Sequence, residues 1–147
     1  PPAQPRLFDK DAQGQSLEET GPVDLEKIGT CQNISVAVPN PGGLRVVASK
    51  SHRDPTADAY IEKYPVSDLK SAGSSLKFCL IATGEADLYP RAGRTMEWDT
   101  AAGHAVLNGA GGGVVRFDDL TPLTYGKPGY ENPYFIAFAK GVTLQKP

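Results

Sequence analysis

Three short segments of the sequence carry side chains that could bind phosphate groups or magnesium. The first is Gly-Ser-Ser-Leu-Lys at 73–77, where Ser74 and Ser75 stand at the expected start of a helix and Lys77 follows within the first turn. Free N–H groups and hydroxyls at a helix start attract an anion, and a lysine adds positive charge for a phosphate. A serine cap beside a solvated lysine has the same pattern and is commoner, so both interpretations stay open.

The second segment, Glu-Trp-Asp-Thr-Ala-Ala-Gly-His, occupies residues 97–104 and places Asp99 at the mouth of another expected helix. An aspartate in this position is either a helix cap or a hard oxygen ligand for Mg²⁺. The small residues that follow Asp99 permit close approach of a ligand, but they equally permit tight helix packing. His104 is expected to be a polar helix residue rather than a ligand.

The third segment is Ser-Lys-Ser-His-Arg at 49–53, which follows an expected strand and contains His52. Ligand-binding loops commonly follow the strands of α/β sheets, so this loop could grip a phosphate or a base. Arg91, in Tyr-Pro-Arg at 89–91, is a further cation at an expected strand end. Its guanidinium suits a bidentate phosphate contact or a surface ion pair.

The elements that must position these residues alternate between strand and helix. Asp54-Pro55 is a typical helix start, and Pro65 ends that helix. Strands are predicted at 33–38, 44–48, 66–69, 86–89, 114–117 and 135–139, with a turn at 39–43 between the first two. Two further helices are predicted, one opened by Ser74 and Ser75 and one capped by Asp99. The last is expected to bury a stripe of Ala102, Ala105, Val106 and Gly109. This alternation predicts a layered α/β domain.

Composition excludes several functional classes. The chain has 147 residues and a formal net charge of −2, which does not favour a nucleic acid polymer as partner. Its longest apolar run has six residues, 134–139, against the ~20 of a transmembrane segment. Two cysteines 48 positions apart give neither a disulfide framework nor zinc-site spacing, so we expect a cytoplasmic protein. Peripheral attachment at the inner membrane is the alternative. The only methionine is Met96, so the chain is expected to derive from a longer polypeptide.

Residues 98–103, Trp-Asp-Thr-Ala-Ala-Gly, closely resemble the WDxAAG signature of the inositol monophosphatase superfamily of Mg²⁺-dependent phosphatases. Four other motifs resemble its bacterial 3′(2′),5′-bisphosphate nucleotidases more narrowly. They are Ser-Lys-Ser-His at 49–52, Ala-Gly-Ser-Ser-Leu-Lys-Phe at 72–78, Leu-Tyr-Pro-Arg at 88–91 and Asn-Pro at 132–133. The resemblance extends from about Leu44 to the C-terminus.

The resemblance implies an α/β sandwich with a mixed sheet, the C-terminal domain of the inositol monophosphatase-like fold, over residues 31–147. Residues 1–30 would be an arm or the remnant of a preceding segment. The implied reaction is hydrolysis of 3′-phosphoadenosine 5′-phosphate to AMP and phosphate, a step tied to sulfate assimilation. An inositol monophosphatase or related sugar phosphatase is the alternative. A non-catalytic nucleotide-binding or structural domain is an alternative of another class.

The resemblance also implies a role for each candidate residue. Asp99 would be a catalytic residue that ligates Mg²⁺ close to the scissile phosphate. Ser74, Ser75 and Lys77 would contact the substrate phosphates and ribose, Arg91 would add charge, and His52 would lie near the adenosine part.

The superfamily's other metal ligands are missing from this sequence. They are carboxylates of an upstream glutamate and of a DPxDGT segment, and the Asp-Pro-Thr-Ala at 54–57 is not such a segment. Mg²⁺ requires near-octahedral oxygen ligation, which one aspartate does not supply. The N-terminal half of the same protein is therefore the expected partner that completes the Mg²⁺ site. The chain alone is expected to be catalytically silent.

Overall fold

Strands and helices alternate along the part of the chain that the computed structural model describes, residues 32–49 and 54–147. The arm predicted at 1–30 and the candidate ligand His52 lie outside these described residues. Residues Asn33–Pro147 form one structural unit. The layered arrangement of helices and sheet confirms the α/β class that the sequence predicts.

The sheet is mixed. The strands are β1 (Leu44–Ser49), β2 (Val66–Ala72), β3 (Leu88–Arg91), β4 (Thr95–Met96), β5 (Gly112–Arg116), β6 (Glu131–Asn132) and β7 (Phe135–Ala139). Five of them form one sheet in the order β2-β1-β3-β7-β5, and β4 pairs with β6 separately. β1 is parallel to β2 and β3, whereas β7 is antiparallel to β3 and β5. The mixed sheet predicted from the family resemblance is confirmed.

Within residues 32–49 and 54–147, the helices that accompany the sheet are α1 (Pro55–Ile61), α2 (Leu76–Ala82) and α3 (Glu97–Gly109). α1 begins as its sequence predicts, because Asp54 accepts a hydrogen bond from the backbone N–H of Thr56 at 2.8 Å and proline occupies the first turn. A short 3₁₀ turn covers Pro128–Tyr130. No helix within 32–49 or 54–147 has both the length and the apolar character needed to cross a bilayer.

The core divides into two clusters, one on each face of the sheet. Successive strand residues point to opposite faces, so neighbours such as Val46 and Val47 join different clusters. One cluster includes Phe78, Ile81, Leu107, Val47 and Phe135, and therefore joins α2 and α3 to the sheet. The other includes Tyr60, Ile61, Val46, Leu88 and Ile136, and joins α1 to it. The result is an α/β/α sandwich.

The topology brings the candidate segments to one edge of the sheet. Because β1, β2 and β3 are parallel, their carboxyl ends at Ser49, Ala72 and Arg91 lie at the same edge. β7 is antiparallel and begins there, with Phe135 paired to Arg91. Loops that leave this edge can therefore share one site although they are far apart in sequence.

The first predicted strand, at 33–38, is wrong. These residues form no regular element, and Val36 donates its N–H to the carbonyl of Ala110 at 2.9 Å, at the end of α3. Ile34 and Val38 are 47% and 93% exposed. Alternating apolar residues form a strand only where a neighbouring strand can pair with them. The strand predicted at 86–89 begins two residues later, at Leu88.

The stripe predicted to be the buried face of the third helix is also wrong. Ala102, Ala105, Val106 and Gly109 are all exposed, and the buried residues of α3 are Glu97, Thr100, Gly103, His104 and Leu107. The helix approaches α2 through Gly103, where a Cβ atom would lie only 2.7 Å from Cδ2 of Phe78. Close helix contact at a glycine, and not apolar content, therefore decides which face is buried.

Candidate active site

A cleft of about 780 Å³ opens at the carboxyl edge of the sheet. Every predicted site residue that the structure describes lines it: Ser74, Ser75, Lys77, Arg91 and Asp99. Ser49, Asp54, Gly73, Phe78, Tyr89, Gly93, Arg94, Thr95, Thr100 and Phe135 complete the lining. His52 lies outside the described residues. Candidates chosen from three separate segments thus share one site.

Lys77 is almost completely buried, at 2% exposure, and is not the solvated lysine of a simple helix cap. Its ammonium donates hydrogen bonds to the carbonyls of Ala72 at 3.0 Å and Ser74 at 2.9 Å. It also lies 5.0 Å from the ring centroid of Tyr89, a cation–π distance. Burial, together with the positive charge of Arg91, lowers the pKa of Lys77 to about 8. Lys77 therefore ties the loop after β2 to the cleft wall.

The two serines lie in a strained loop. Ser74 adopts a left-handed backbone conformation, with φ +46°, which a non-glycine residue rarely adopts. The hydrogen bond from Lys77 to its carbonyl helps to hold this conformation. α2 has only seven residues, and the side chain of Ser75 makes no capping bond. Both serines line the cleft, where their hydroxyls are candidate donors to a ligand.

Arg91 ends β3 with its side chain in the cleft. A Cβ atom on Gly93 would lie 3.2 Å from Cζ of Arg91, so this glycine leaves room for the guanidinium. Arg94 follows and pairs with Glu131 across a 3.2 Å contact from Nε to Oε2, with both side chains exposed. Among the described residues, Lys77, Arg91 and Arg94 are the cationic side chains that line the cleft, and such groups suit phosphate oxygens.

Asp99 is exposed and lies in the first turn of α3, and the N-cap residue of that helix is Met96. Its Oδ2 atom accepts a hydrogen bond from the backbone N–H of Met96 at 2.8 Å. Asp99 is thus not the cap residue that the sequence predicted, although its carboxylate does stabilise the helix start. Among the described residues there is no group of three or more histidine, cysteine, aspartate or glutamate side chains that could hold a metal. A single carboxylate such as that of Asp99 does not complete the near-octahedral oxygen set of a Mg²⁺ site.

A buried ion pair anchors the beginning of α3 to the segment that precedes β6. Glu97 is 8% exposed and accepts hydrogen bonds from the backbone N–H groups of Gly126 at 2.8 Å and Lys127 at 3.0 Å. The ammonium of Lys127 lies 2.5 Å from the same carboxylate and donates to the carbonyl of Thr124 at 2.6 Å. These bonds lower the pKa of Glu97 to about 2.

Asn132 links this ion pair to the cleft. Its amide nitrogen donates to the carbonyl of Met96 at 2.9 Å and to the hydroxyl of Thr100 at 3.0 Å, and its oxygen accepts from Lys127 at 3.3 Å. Thr100 lines the cleft one residue after Asp99. The buried network therefore fixes the turn of helix that presents Asp99.

His104 and Tyr125 extend the network along α3. Nδ1 of His104 lies 2.8 Å from the hydroxyl of Tyr125, which donates to Thr100 at 3.3 Å. Burial lowers the pKa of His104, so the neutral imidazole is favoured. His104 is thus a buried histidine that contacts Tyr125, whereas the sequence predicted only a polar helix residue.

We expect replacement of Asn132 by leucine to destabilise the domain. Leucine has a similar volume but leaves the carbonyl of Met96 and the ammonium of Lys127 without this buried partner. The free energy of unfolding should fall by about 2 kcal/mol in denaturant titration. Asn108→Leu, at an exposed position of α3, is the matched control and should change it by less than about 0.5 kcal/mol. Equal stability of the two variants would contradict the anchoring role.

Three aromatic residues of the cleft were not singled out from the sequence. Phe78, Tyr89 and Phe135 line it together, with ring centroids 5.6 to 5.7 Å apart. Phe78 and Tyr89 belong to the motifs at 72–78 and 88–91, and this membership is the sequence feature that points to them as site residues. Phe135 comes from an antiparallel strand, so only the sheet order reveals it. Asp54 was interpreted as a helix cap alone, but it lines the cleft as well.

Sequence comparison gives a family and several close relatives. The model of the inositol monophosphatase family matches residues 3–137, beginning upstream of Leu44, where the motif resemblance starts. A Rhizobium leguminosarum bv. phaseoli protein, described as an uncharacterized protein in the pss 5′ region, is 52% identical over 86 residues. That alignment covers 54% of this chain and 90% of the relative. The 3′(2′),5′-bisphosphate nucleotidase CysQ of Escherichia coli K12 is 47% identical over 91 residues, 61% of this chain and 37% of CysQ.

Solved structures share the fold. The crystal structure of CysQ from Bacteroides thetaiotaomicron, a bacterial member of the inositol monophosphatase family, has a TM-score of 0.67 and 39% identity. The match covers 85% of this chain and 47% of that one. The inositol monophosphatase of Anabaena sp. PCC 7120, at 22% identity and a TM-score of 0.58, shares the fold alone. This chain therefore spans less than half of the CysQ proteins that it matches. The match over residues 3–137 shows that the chain belongs to the inositol monophosphatase family.

Proposed function

We propose that this chain is the substrate-side part of a Mg²⁺-dependent 3′(2′),5′-bisphosphate nucleotidase that hydrolyses 3′-phosphoadenosine 5′-phosphate to AMP and phosphate. One observation carries the proposal. Five candidate residues line a single cleft: four from the nucleotidase motifs, Ser74, Ser75, Lys77 and Arg91, and Asp99 from the superfamily signature. Similarity to CysQ proteins of Escherichia coli and Bacteroides thetaiotaomicron supports the substrate class.

In this proposal the chain's own residues bind and orient the substrate. Arg91 and Lys77 attract its phosphates, and the guanidinium supplies paired donors to phosphate oxygens. The hydroxyls of Ser74 and Ser75 donate to phosphate or ribose oxygens. His52, which lies outside the described residues, is assigned to the adenosine part. The buried network around Asn132 holds Asp99 so that its carboxylate faces the scissile phosphate.

Asp99 is the ligand that this chain would give to Mg²⁺. It fits the role in part: its carboxylate is exposed to the cleft, and one oxygen remains beside the one that accepts from Met96. When bound, the metal would polarise the phosphoryl group and lower the pKa of the attacking water. Mg²⁺ needs several oxygen ligands, so the proposal assigns the others to the N-terminal half of the same protein.

A second candidate, a nucleotide-binding domain without catalysis, is favoured by one observation. No set of three or more acidic, histidine or cysteine ligands occurs in residues 32–49 and 54–147. The nucleotidase and the nucleotide-binding domain would bind the same nucleotide, and only the nucleotidase would hydrolyse it. Both are placed in the cytoplasm, a location supported by the free, half-buried thiol of Cys79.

Binding and turnover by this 147-residue chain test the proposal. Calorimetric titration in Mg²⁺ buffer should give at least tenfold tighter binding of 3′-phosphoadenosine 5′-phosphate than of inositol 1-phosphate. Phosphate release from the nucleotide should not exceed that in buffer until the N-terminal half is added. Equal or tighter binding of inositol 1-phosphate would favour an inositol monophosphatase instead. Turnover by the chain alone would contradict the assignment of the other Mg²⁺ ligands to the N-terminal half. No turnover after the N-terminal half is added would favour the nucleotide-binding domain without catalysis.

The charge of Lys77 should make nucleotide binding depend on pH. Because its pKa is about 8, Lys77 is positively charged below that pH and neutral above it. The second pKa of a phosphate monoester is about 6, so the ligand's charge is nearly constant from pH 7 to 9. Affinity should therefore fall roughly fivefold over this range as the charge-assisted attraction is lost.

Matched lysine variants separate this effect from general changes with pH. Lys77→Met should bind more weakly at pH 7 and show no such fall between pH 7 and 9. Lys140→Met, which removes an exposed lysine just after β7, should keep the original profile. A fall that persists in Lys77→Met would assign the titration to another group.

A further inference from the structure

Tyr89 is a buried side chain of the cleft wall that packs against two aromatic rings. The residue is only 4% exposed, although it lines the cleft. Its ring makes edge-on contacts with Phe78 and Phe135, each with a centroid separation of 5.6 Å and interplanar angles of 83° and 88°. The ammonium of Lys77 lies over the ring. These contacts hold the ring and therefore fix the position of the hydroxyl oxygen that it carries.

The hydroxyl of Tyr89 has no hydrogen-bond partner among the residues that the structure describes. Buried tyrosines usually pair their hydroxyls, because an unpaired polar group loses its bonds to water. Here the oxygen is not sealed from solvent, since it is not one of the fully buried side-chain atoms without a partner. The ring lines the cleft, so this is where the hydroxyl can find a partner.

The charges around Tyr89 indicate which ligand chemistry suits it. Tyr89 and Arg91 are two residues apart on β3 and therefore point to the same side of the sheet, and both line the cleft. The ammonium of Lys77 lies 5.0 Å from the centroid of the Tyr89 ring. Burial raises the pKa of Tyr89 to about 12, so the hydroxyl keeps its proton at neutral pH and can donate it to an acceptor. An acceptor between a guanidinium and an ammonium is expected to be anionic.

We propose that the Tyr89 hydroxyl donates a hydrogen bond to a phosphate oxygen of the molecule that occupies the cleft, beside the guanidinium of Arg91. Tyr89 is then a substrate-binding residue to which the sequence analysis assigns no role, although it lies in the motif at 88–91. The inference rests on the proposed function, because it requires a phosphate-bearing ligand in this cleft. It adds a neutral donor, held rigidly by the aromatic wall, to the charged groups already assigned there.

Tyr89→Phe tests the inference, because it removes only the hydroxyl. Calorimetric titration with inorganic phosphate and with 3′-phosphoadenosine 5′-phosphate should show binding weakened about tenfold, as for loss of a hydrogen bond to a charged acceptor. Titration with adenosine, which lacks phosphate, should show no change. The melting temperature should stay within 2 °C of the original in the absence of ligand, roughly the shift of a surface substitution. Tyr134→Phe, at a half-exposed residue outside the cleft lining, is the control and should bind all ligands normally.

The outcomes separate this inference from the proposed function. If the unaltered chain binds neither phosphate ligand, the proposed function fails and the role of Tyr89 fails with it. If it binds both and Tyr89→Phe binds them equally well, only the role of Tyr89 fails. A clear loss of melting temperature without ligand would show that the hydroxyl pairs within the protein. Weakened binding of adenosine alone would assign the hydroxyl to the nucleoside and overturn the phosphate contact.

Discussion

Replacement of Asp99 by asparagine, in the chain completed by the proposed N-terminal half, is expected to lower Mg²⁺-dependent phosphate release from 3′-phosphoadenosine 5′-phosphate by at least about 100-fold. Loss of groups that merely support a metal ligand costs about 10- to 100-fold, so loss of the ligand's own charge should cost no less. Mg²⁺ prefers anionic oxygens, and an asparagine supplies one neutral carbonyl in place of a carboxylate.

The same substitution should leave the fold almost unchanged. Oδ2 of Asp99 accepts one hydrogen bond, from the N–H of Met96 at 2.8 Å, and the side-chain oxygen of an asparagine can accept it equally. The residue is exposed, so no charge partner is left buried. The remaining cost is the lost attraction of a negative charge to the N-terminus of α3, about 0.3 to 1 kcal/mol.

Steady-state phosphate release and denaturant unfolding, measured on the same preparation, separate these two expectations. Asp68→Asn is the matched control, because it removes an exposed carboxylate on β2 that does not line the cleft. It should retain normal turnover. Near-normal turnover of Asp99→Asn would refute its assignment as a metal ligand. A large loss of stability in that variant would show that its role is structural.

Local signals in the sequence predicted elements well where neighbouring residues alone determine the structure. Asp54-Pro55 begins α1 as predicted because the cap and the first turn involve only adjacent residues. Phe135–Ala139 forms β7 as predicted, since a strand buried on both faces is a continuous apolar run. The predicted site residues that the structure describes meet in one cleft, since their segments leave the same edge of the sheet.

Contacts between distant residues account for what the sequence did not predict. Asp87 is 1% exposed and pairs with Arg45, 42 residues away, through contacts of 2.7 and 3.1 Å. The network joining Glu97 to Lys127 and Asn132 likewise links residues 30 or more positions apart. No periodicity reveals such pairs. For the same reason the buried face of α3, which contains Thr100 and His104, resembles the polar face of a surface helix.

Gly103→Val is expected to lower the free energy of unfolding by about 3 kcal/mol, as overpacking at a tight contact does. A Cβ atom at Gly103 would lie 2.7 Å from Cδ2 and 2.9 Å from Cγ of Phe78. Phe78 cannot easily move away, because it stacks on Phe135 and meets Tyr89 edge-on. The strain must therefore push α3 away from α2.

The separation of α2 and α3 should also damage the cleft, because each helix carries part of it. Lys77 precedes Phe78 on α2, and Asp99 lies one turn before Gly103 on α3. Gly103→Val should thus weaken nucleotide binding at temperatures where the domain remains folded. Denaturant titration and calorimetric binding on one preparation measure both effects.

Gly109→Ala, in the same helix, is expected to raise the free energy of unfolding, the opposite of the effect expected for Gly103→Val. No atom lies within 4 Å of a Cβ built at Gly109, which is exposed in the last turn of α3. Alanine favours the helix over glycine by about 0.5 to 1 kcal/mol, so this variant should be stabilised and bind normally. If Gly103→Val and Gly109→Ala change stability in the same direction, close helix contact at Gly103 does not set the geometry of the cleft. Opposite signs, together with weakened nucleotide binding by Gly103→Val alone, would show that the cleft depends on the close approach of α2 and α3 at Gly103.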